Sequence, residues 1–283
     1  MSYGLTYAGA ESDYDESDAV IIGVPYDRTS SFKSGSKDAP FSIRRASYNF
    51  EEHHFEHGFL ECNLFDYGNC DEFFLPEDMV EEVKFAISPA IHDKRFTIVM
   101  GGEHSITIPV IQSLPKDVSL ITIDAHLDSR DEYLGSRYSH ACVTRRAAEH
   151  IGLENVHAIG VRSISREELE RDDVVPYTTS FDIFEKGIEN VISDVLEGLG
   201  NEKVYLSVDI DGIDPAFAPG TGTLEPFGLN PMDVKKVINA IGDRLIGFDV
   251  NEVCPPADPS GITSALAARL INESLMVFLK NRD

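Results

Sequence analysis

The chain has 283 residues, 42% of them hydrophobic and 26% charged, which supports a sizeable core and argues against disorder. With 49 acidic against 24 basic residues the formal charge is −25, unfavourable for nucleic-acid phosphates and anionic lipid surfaces and attractive to small cations. No nucleic-acid or membrane partner is expected.

Met1 to Tyr14 carries neither the basic start nor the apolar stretch of a secretory signal, and no internal segment reads as membrane-spanning. A cytoplasmic location is expected. Cys62, Cys70, Cys142 and Cys254 are scattered without a CxxC pair, so neither a disulfide framework nor a thiolate zinc site is indicated.

In chain order, apolar β-branched runs predict strands at Ala19–Val24, Phe96–Met100, Leu120–Ile123, Val156–Ile159, Val204–Val208 and Leu245–Asp249. Between them the pattern predicts helices at Glu77–His92, Ser139–His150, Phe181–Leu199, Met232–Ile241 and Thr263–Leu279. Pro231 after Asn230 marks a helix start, and Gly198 and Gly200 mark a helix end. This alternation predicts an α/β domain built around a mostly parallel sheet, with residues 1–283 as one unit because no linker or repeat divides them. Segments 51–75 and 160–180 are less regular, as functional loops at strand carboxyl ends often are.

Three predicted strands run straight into titratable residues. Leu120–Ile123 leads into Asp124, His126 and Asp128, whose alternation in extended chain would turn all three to one side. Val204–Val208 leads into Asp209 and Asp211. Phe96–Met100 leads into Gly101-Gly102-Glu103-His104, where two glycines permit a tight turn that aims His104 at the same edge.

A lone Asp after a strand is ordinarily a cap, and a lone His a hydrogen-bonded structural residue. Four carboxylates gathered on one rim, however, repel each other and lose hydration at a cost of several kcal/mol unless cations offset it. Two divalent ions would balance them. Oxygen-rich ligation with two imidazoles and no thiolate suits Mn²⁺, with Zn²⁺, Co²⁺ or Fe²⁺ as alternatives. Six side chains are few for two separate ions, so some carboxylates should bridge, leaving room for a shared, activated water. Downstream, the Gly/Pro/Thr-rich stretch Asp209–Leu229 suits a pocket wall, and Glu252, near the end of the last predicted strand, could hold a cationic substrate.

Taken together these residues resemble the ureohydrolase (arginase/agmatinase) family, and its agmatinase branch most. The anchors are Gly23-Val24-Pro25 with Asp27, the stretch Ala39 to Arg44, GGEHSIT at 101–107, DAHLDSRD at 124–131, SVDIDGIDPAFAPGTGT at 207–223, and the Glu252 region. The resemblance implies a three-layer α/β/α sandwich, arginase-like, with a two-manganese cluster at the carboxyl edge of its sheet. It also implies ligand roles: His104 for one ion and His126 for the other, Asp124 and Asp209 bridging, Asp128 completing the first shell and Asp211 the second. His140 matches a proton-shuttle histidine, Asp128 the carrier of a proton to the leaving amine, and Glu252 the acid that holds the guanidinium. Departures from the common pattern are Ala141 and Phe227, each in place of Gly, and Leu224 in place of Pro. His53, His54 and His57 match no role in the family and read as solvated loop or helix histidines.

The expected reaction is hydrolysis of a guanidino compound to urea and an amine. Gly160-Val161-Arg162 is followed by Ser163-Ile164-Ser165, without the acidic residues that would read an α-amino acid, which disfavours arginine. Agmatine, giving putrescine and urea, is the first expectation; aminopropylagmatine, a guanidino acid or guanidine itself are alternatives. A single-metal deacetylase of related fold would show tandem histidines near the site, and an inactive binding relative would lack ligands; neither pattern is present. The resemblance also implies a homo-oligomer, trimeric or hexameric.

Overall fold

A computed structural model describes residues 5–281, so the first four residues of the Met1–Tyr14 stretch lie outside it. In chain order the strands are β1 (Ala19–Val24), β2 (His53–His54), β3 (Gly58–Phe59), β4 (Leu64–Asn69), β5 (Phe96–Gly101), β6 (Val118–Ile123), β7 (Val156–Val161), β8 (Tyr177–Thr179), β9 (Lys203–Asp209) and β10 (Leu245–Asn251). The helices are α1 (Ala39–Ser47), α2 (Pro76–His92), α3 (Thr107–Ser113), α4 (Val143–Ile151), α5 (Arg166–Leu169), α6 (Ser180–Lys186), α7 (Ile188–Gly198), α8 (Pro231–Ile241) and α9 (Ile262–Lys280).

Eight strands form one sheet in the order β4-β1-β5-β10-β9-β6-β7-β8, and every pairing in it is parallel. Helices cover both faces, which is why the central strands read as unbroken apolar runs rather than alternating ones. Along β1, Ala19 and Ile21 join the core beneath α1, α7, α8 and α9, while Val20, Ile22 and Val24 join the core beneath α2, α3 and α4. The result is the three-layer α/β/α sandwich that the resemblance implies, built on the parallel sheet that the alternation of elements predicts.

All six predicted strands are present, extended by a residue or two at one or both ends except for β1. The predicted helix Phe181–Leu199 is two helices, because Gly187 takes φ +81° and breaks the run between α6 and α7. Predicted helix Ser139–His150 opens with a 3₁₀ turn at His140–Cys142 before α4 begins. The capping box at Asn230 and Asp233, with Pro231 in the first turn, starts α8 as the sequence indicates.

One sequence reading needs correction. By length and composition α9 is apolar enough to cross a membrane, with a mean hydropathy of 1.4 over its best window. Yet Ala267, Ala268, Leu270, Ile271 and Leu275 are buried in the sheet-facing core, and α9 packs on α1, α8 and β10. Its hydrophobicity is that of a core helix, hydrophobic on most sides because neighbours surround it.

The edge strand β4 is tied to the body by charge. Arg44 on α1 is 3% exposed and reaches Asp66 through two bonds, Nε to Oδ2 at 2.8 Å and Nη2 to Oδ1 at 2.7 Å. Its Nη2 also donates to the Gly68 carbonyl at 2.8 Å, and Asp66 Oδ2 accepts the Tyr7 N–H at 2.7 Å. A bidentate pair this buried leaves a bare carboxylate when its partner is removed. Arg44→Ala should therefore lower unfolding free energy by about 3–5 kcal/mol, read as a shift of the denaturant midpoint, whereas Arg45→Ala on the outer face of α1 should change it by less than about 0.5 kcal/mol.

Candidate metal centre

The carboxyl ends of β5, β6 and β9 lie beside one another in the sheet, with β10 between β5 and β9, so residues just past these ends meet at one edge. His104 opens a 3₁₀ turn after β5, Asp124 follows β6, and Asp209 ends β9. Ligand atoms of His104, Asp124 and Asp209 lie within 4.8 Å of one another, as do those of Asp124, His126 and Asp211. Asp124 belongs to both groups. His104 Nδ1 is 3.0 Å from Asp124 Oδ2, 3.0 Å from Asp128 Oδ2 and 3.4 Å from Asp209 Oδ2. On the other side His126 Nδ1 is 3.1 Å from Asp211 Oδ2 and 3.5 Å from Asp124 Oδ1. The six residues predicted from three strand ends are thus brought together.

Local backbone explains how. Alternation holds for Asp124 and His126, because the chain stays paired past β6: Arg162 and Ser163 donate their N–H groups to the Ala125 carbonyl at 2.8 and 2.9 Å. It fails at Asp128, which enters by a left-handed residue with φ +51° instead of by extended chain. That costs a non-glycine residue roughly 1–2 kcal/mol, and a clasp holds it: Thr144 N–H bonds the Asp128 carbonyl at 3.1 Å and Thr144 Oγ1 the Leu127 carbonyl at 2.6 Å. Gly102 also acts otherwise than the sequence suggests. Its φ is not positive; a Cβ there would sit 1.8 Å from the Tyr26 carbonyl oxygen, so glycine admits close backbone contact between the β1 and β5 loops.

Behind the cluster a polar row fixes His104. Ser207 Oγ donates to Asp249 Oδ1 at 2.7 Å, so the 3.2 Å contact from His104 Nε2 is one that Ser207 accepts. With Nε2 kept protonated by this contact, Nδ1, which faces the carboxylates, is the nitrogen that a cation there would take, as a metal-binding imidazole needs.

The electrostatics point the same way. Burial, with Asp211 and Asp124 nearby, pushes Asp209 well above the carboxylate range, and burial together with Asp124 pushes Asp128 up to about 7. Burial works against ionisation of Asp124 too, but the His104 and His126 imidazoles hold it below its ordinary value. Despite burial, Asp211 and Asp124 raise His126 to about 12. Asp124 Oδ2 is fully buried and makes no aligned hydrogen bond although His104 Nδ1 is 3.0 Å away. Oxygen and nitrogen atoms facing one another without hydrogen-bond alignment, among carboxyls forced toward neutrality, fit a pair of divalent cations.

A cavity of about 260 Å³ opens over the cluster. His126, Asp128, Asp209 and Asp211 of the cluster line it, together with His140 and Glu252. Glu252 has φ +57° at the end of β10, its N–H bonds the Gly102 carbonyl at 2.8 Å, and its Oε1 accepts the His104 N–H at 2.8 Å. No cationic side chain pairs with it among the described residues. Burial and the neighbouring Glu103 carboxyl raise it well above its ordinary value. His140 meets Tyr133 edge-on at 5.6 Å, and burial with the nearby His104 and His126 charges lowers it to about 4. The mouth is lined by Ser30, Ser31, Ser163 and Ser165, by the carboxylate of Glu168, and by two cations, Lys33 and Arg130.

One wall is locked by Arg162. Its guanidinium donates to the carbonyls of Gly160, Asp211, Gly212, Glu225 and Pro226 at 2.6–3.1 Å, tying β7 to both ends of the 211–226 loop. Just past that loop Phe227 takes φ +67°.

Several working residues were not singled out from sequence. Glu103 is fully buried and accepts from Thr29 N–H at 2.7 Å and Ser105 Oγ at 2.6 Å; Glu168 holds the Ser129 N–H at 2.8 Å. Ser207 and Asp249 interrupt apolar strands, and a polar residue inside a buried strand is the signal that could have found them. The solvated reading of the histidine cluster is wrong for two of its members. His53 is exposed, but His54 is 5% exposed with Nε2 2.7 Å from Glu273 Oε1, and His57 stacks on it at 5.0 Å. Arg269 and Lys235, at 3.0 and 3.8 Å, already balance Glu273, so this grouping is an ion-paired seam between the β2–β3 hairpin and α9.

Residues 17–277 match the model of the arginase family. The chain is similar to an agmatinase of Halalkalibacterium halodurans, 36% identical with 96% of each chain covered, and to a guanidinobutyrase of Pseudomonas aeruginosa, 33% identical over 96% of this chain and 90% of that one. Among solved structures, agmatine ureohydrolase of Thermoplasma volcanium superposes with a TM-score of 0.94 at 42% identity, covering 98% of this chain and 94% of that chain. A family match across nearly the whole length, with the clustered residues inside it, places the chain in the arginase family.

Proposed function

We propose that this protein hydrolyses agmatine to putrescine and urea. The observation that carries the reading is Glu252, an acid with no cationic partner among the described residues, lining the same cavity as His126, Asp209 and Asp211 of the two carboxylate–imidazole groups that share Asp124. A guanidinium is planar, cationic and rich in N–H donors, and a partly exposed carboxylate is its natural counterpart. His104, Asp124, Asp128 and Asp209 would hold one divalent ion and Asp124, His126, Asp209 and Asp211 a second, manganese being the ion that this oxygen-rich set suits best. When bound, such a pair lowers the pKa of a water between its members and stabilises negative charge at the reacting centre.

The chain's own groups supply the rest. Glu252 fixes the guanidinium carbon beside the cluster, and Ser163 and Ser165 with Glu168 line the path of the alkyl chain. Attack by water must move both of its protons to the departing nitrogen, because the guanidinium N–H leaves as an ammonium while urea keeps its four N–H bonds. Asp128, which lines the cavity beside the cluster, is placed to carry one of these protons to the departing nitrogen. His140, which also lines the cavity, exchanges protons between the cluster and solvent.

A second reading is favoured by one observation: Lys33 and Arg130 line the mouth without a carboxylate partner within 4 Å, Arg130 stacking on Tyr133 at 4.8 Å. These cations would receive the carboxylate of a guanidino acid and oppose the terminal ammonium of agmatine, and a guanidinobutyrase is among the relatives.

Urea release measured on agmatine, aminopropylagmatine, 4-guanidinobutanoate, guanidine and arginine should rank agmatine first by kcat/KM. A guanidino acid in first place would select the second reading, and arginine in first place would reject both. Asp124→Asn should lose bound metal, counted by elemental analysis, together with activity; retention of two ions at full rate would refute the ligand assignment. His140→Ala should keep its metal and lower kcat by about 10²-fold, and an unchanged kcat would remove His140 from the reaction.

A further inference from the structure

Thr29, on the loop after β1, has a hydroxyl placed between two residues of the site without lining the cavity itself. Three groups converge on Oγ1: the carboxylate Oε1 of Glu103, the backbone N–H of His140 at 3.0 Å, and Nδ1 of His140 at 3.1 Å. A threonine hydroxyl has one proton to give and two lone pairs to receive with. Glu103 is ringed by groups that can donate: the Thr29 N–H at 2.7 Å, the Ser105 hydroxyl at 2.6 Å, the Ser30 hydroxyl at 3.5 Å and the Thr29 hydroxyl itself. With the Thr29 N–H and the Ser105 hydroxyl donating to its two oxygens, Glu103 stands as the acceptor and takes the Thr29 proton. The two lone pairs of Oγ1 then face the two His140 nitrogens, and both of those must donate. The backbone nitrogen always does; the ring nitrogen does so only if its proton is on Nδ1.

We infer that Thr29, held by Glu103, is a positioning residue that fixes His140 as the Nδ1–H tautomer and so keeps Nε2 unprotonated for proton exchange in the cavity. The inference rests on the proposed proton-carrying role of His140. In a peptide in water neutral histidine favours the opposite tautomer, so a specific partner is required to reverse it. Ser139 is the other neighbour of Nδ1, at 3.3 Å, and its hydroxyl could donate there instead; it is more distant, and it accepts the Ala141 N–H at 3.4 Å. An Nδ1–H imidazole with a bare Nε2 takes a proton from a cavity water, becomes imidazolium, and gives that proton to solvent, so that charge and protons balance over a cycle. The alternative tautomer offers a proton at Nε2 where one must be accepted.

The test uses ¹⁵N-histidine-labelled, metal-free full-length protein at mildly alkaline pH, where the two neutral tautomers have distinct nitrogen shifts. The His140 signals among the nine histidines are identified by their loss in His140→Asn. Wild type, Thr29→Ser and Ser139→Ala should show protonated Nδ1 and bare Nε2, and Thr29→Val should shift His140 toward Nε2–H. In the metal-loaded enzyme Thr29→Val should lower kcat on the order of a hundredfold with KM changed by less than about threefold, and Thr29→Ser should recover most of the loss. Nε2–H in wild type, or a tautomer indifferent to Thr29→Val, overturns the inference. So does a shifted tautomer with unchanged kcat. The failures are separable: absence of urea from every guanidino compound, with the nitrogen shifts as stated, would sink the proposed function and leave the tautomer assignment standing.

Discussion

The site depends on mutual repulsion among carboxyl groups that the fold forces together. Asp124, Asp128, Asp209 and Asp211 are all buried, and among the described residues they stand around two imidazoles with no lysine or arginine paired to them. Left to themselves, such groups would take up protons or spread apart. They cannot spread apart, because each is held by a strand end or a turn whose hydrogen bonds lie elsewhere, Asp209 in the last residue of a seven-residue strand and Asp128 in a clasped left-handed turn, and the strain shows instead as Asp209 and Asp128 pushed up from the carboxylate range. The sheet therefore supplies the free energy that keeps negative charge concentrated, and divalent cations at that spot relieve it. Metal affinity and fold stability are linked here: any change that lets the strand ends separate weakens both.

Much of the arrangement was legible because it obeys short-range rules. A parallel sheet writes itself as apolar runs separated by helices, and the residues proposed as ligands come at the ends of those runs, so Asp124, His126, Asp209 and His104 could be placed at one edge from order alone. Asp128 was placed correctly for an incomplete reason. The period-two rule that turns Asp124 and His126 to one side stops applying two residues later, where the backbone goes left-handed, a choice that aspartate tolerates but sequence does not announce. Elements stabilised by distant partners were harder to read. The β4 segment LFDYGN is too polar to look like a strand of this sheet, because Asp66 faces Arg44 at an edge. The histidines at 54 and 57 looked solvated because Glu273, which buries them, lies more than two hundred residues away.

The same limit applies to groups behind the ligands. Ser207, Asp249, Glu103 and Thr29 act by fixing protons on His104 and His140, and a hydroxyl shows no chemical character in sequence until its neighbours are known. Substrate preference follows a similar logic. The cluster in the cavity is common to any guanidinium hydrolase built this way, but the mouth, with Lys33 and Arg130 against Glu168, mixes charges whose net effect depends on how a bound tail runs between them.

Arg162 carries a consequence for how such a pocket can diversify. Because its guanidinium is wholly occupied by main-chain oxygens from both ends of one loop, the side chains of that loop can vary while its path cannot, and a lysine, with three donors in place of five, could not hold it. New specificities on this scaffold are expected across the opening, among residues 30–33, which carry no comparable brace among the described residues. One half of the mouth is a fixed jaw, and divergence among relatives with different guanidino substrates should concentrate in the other.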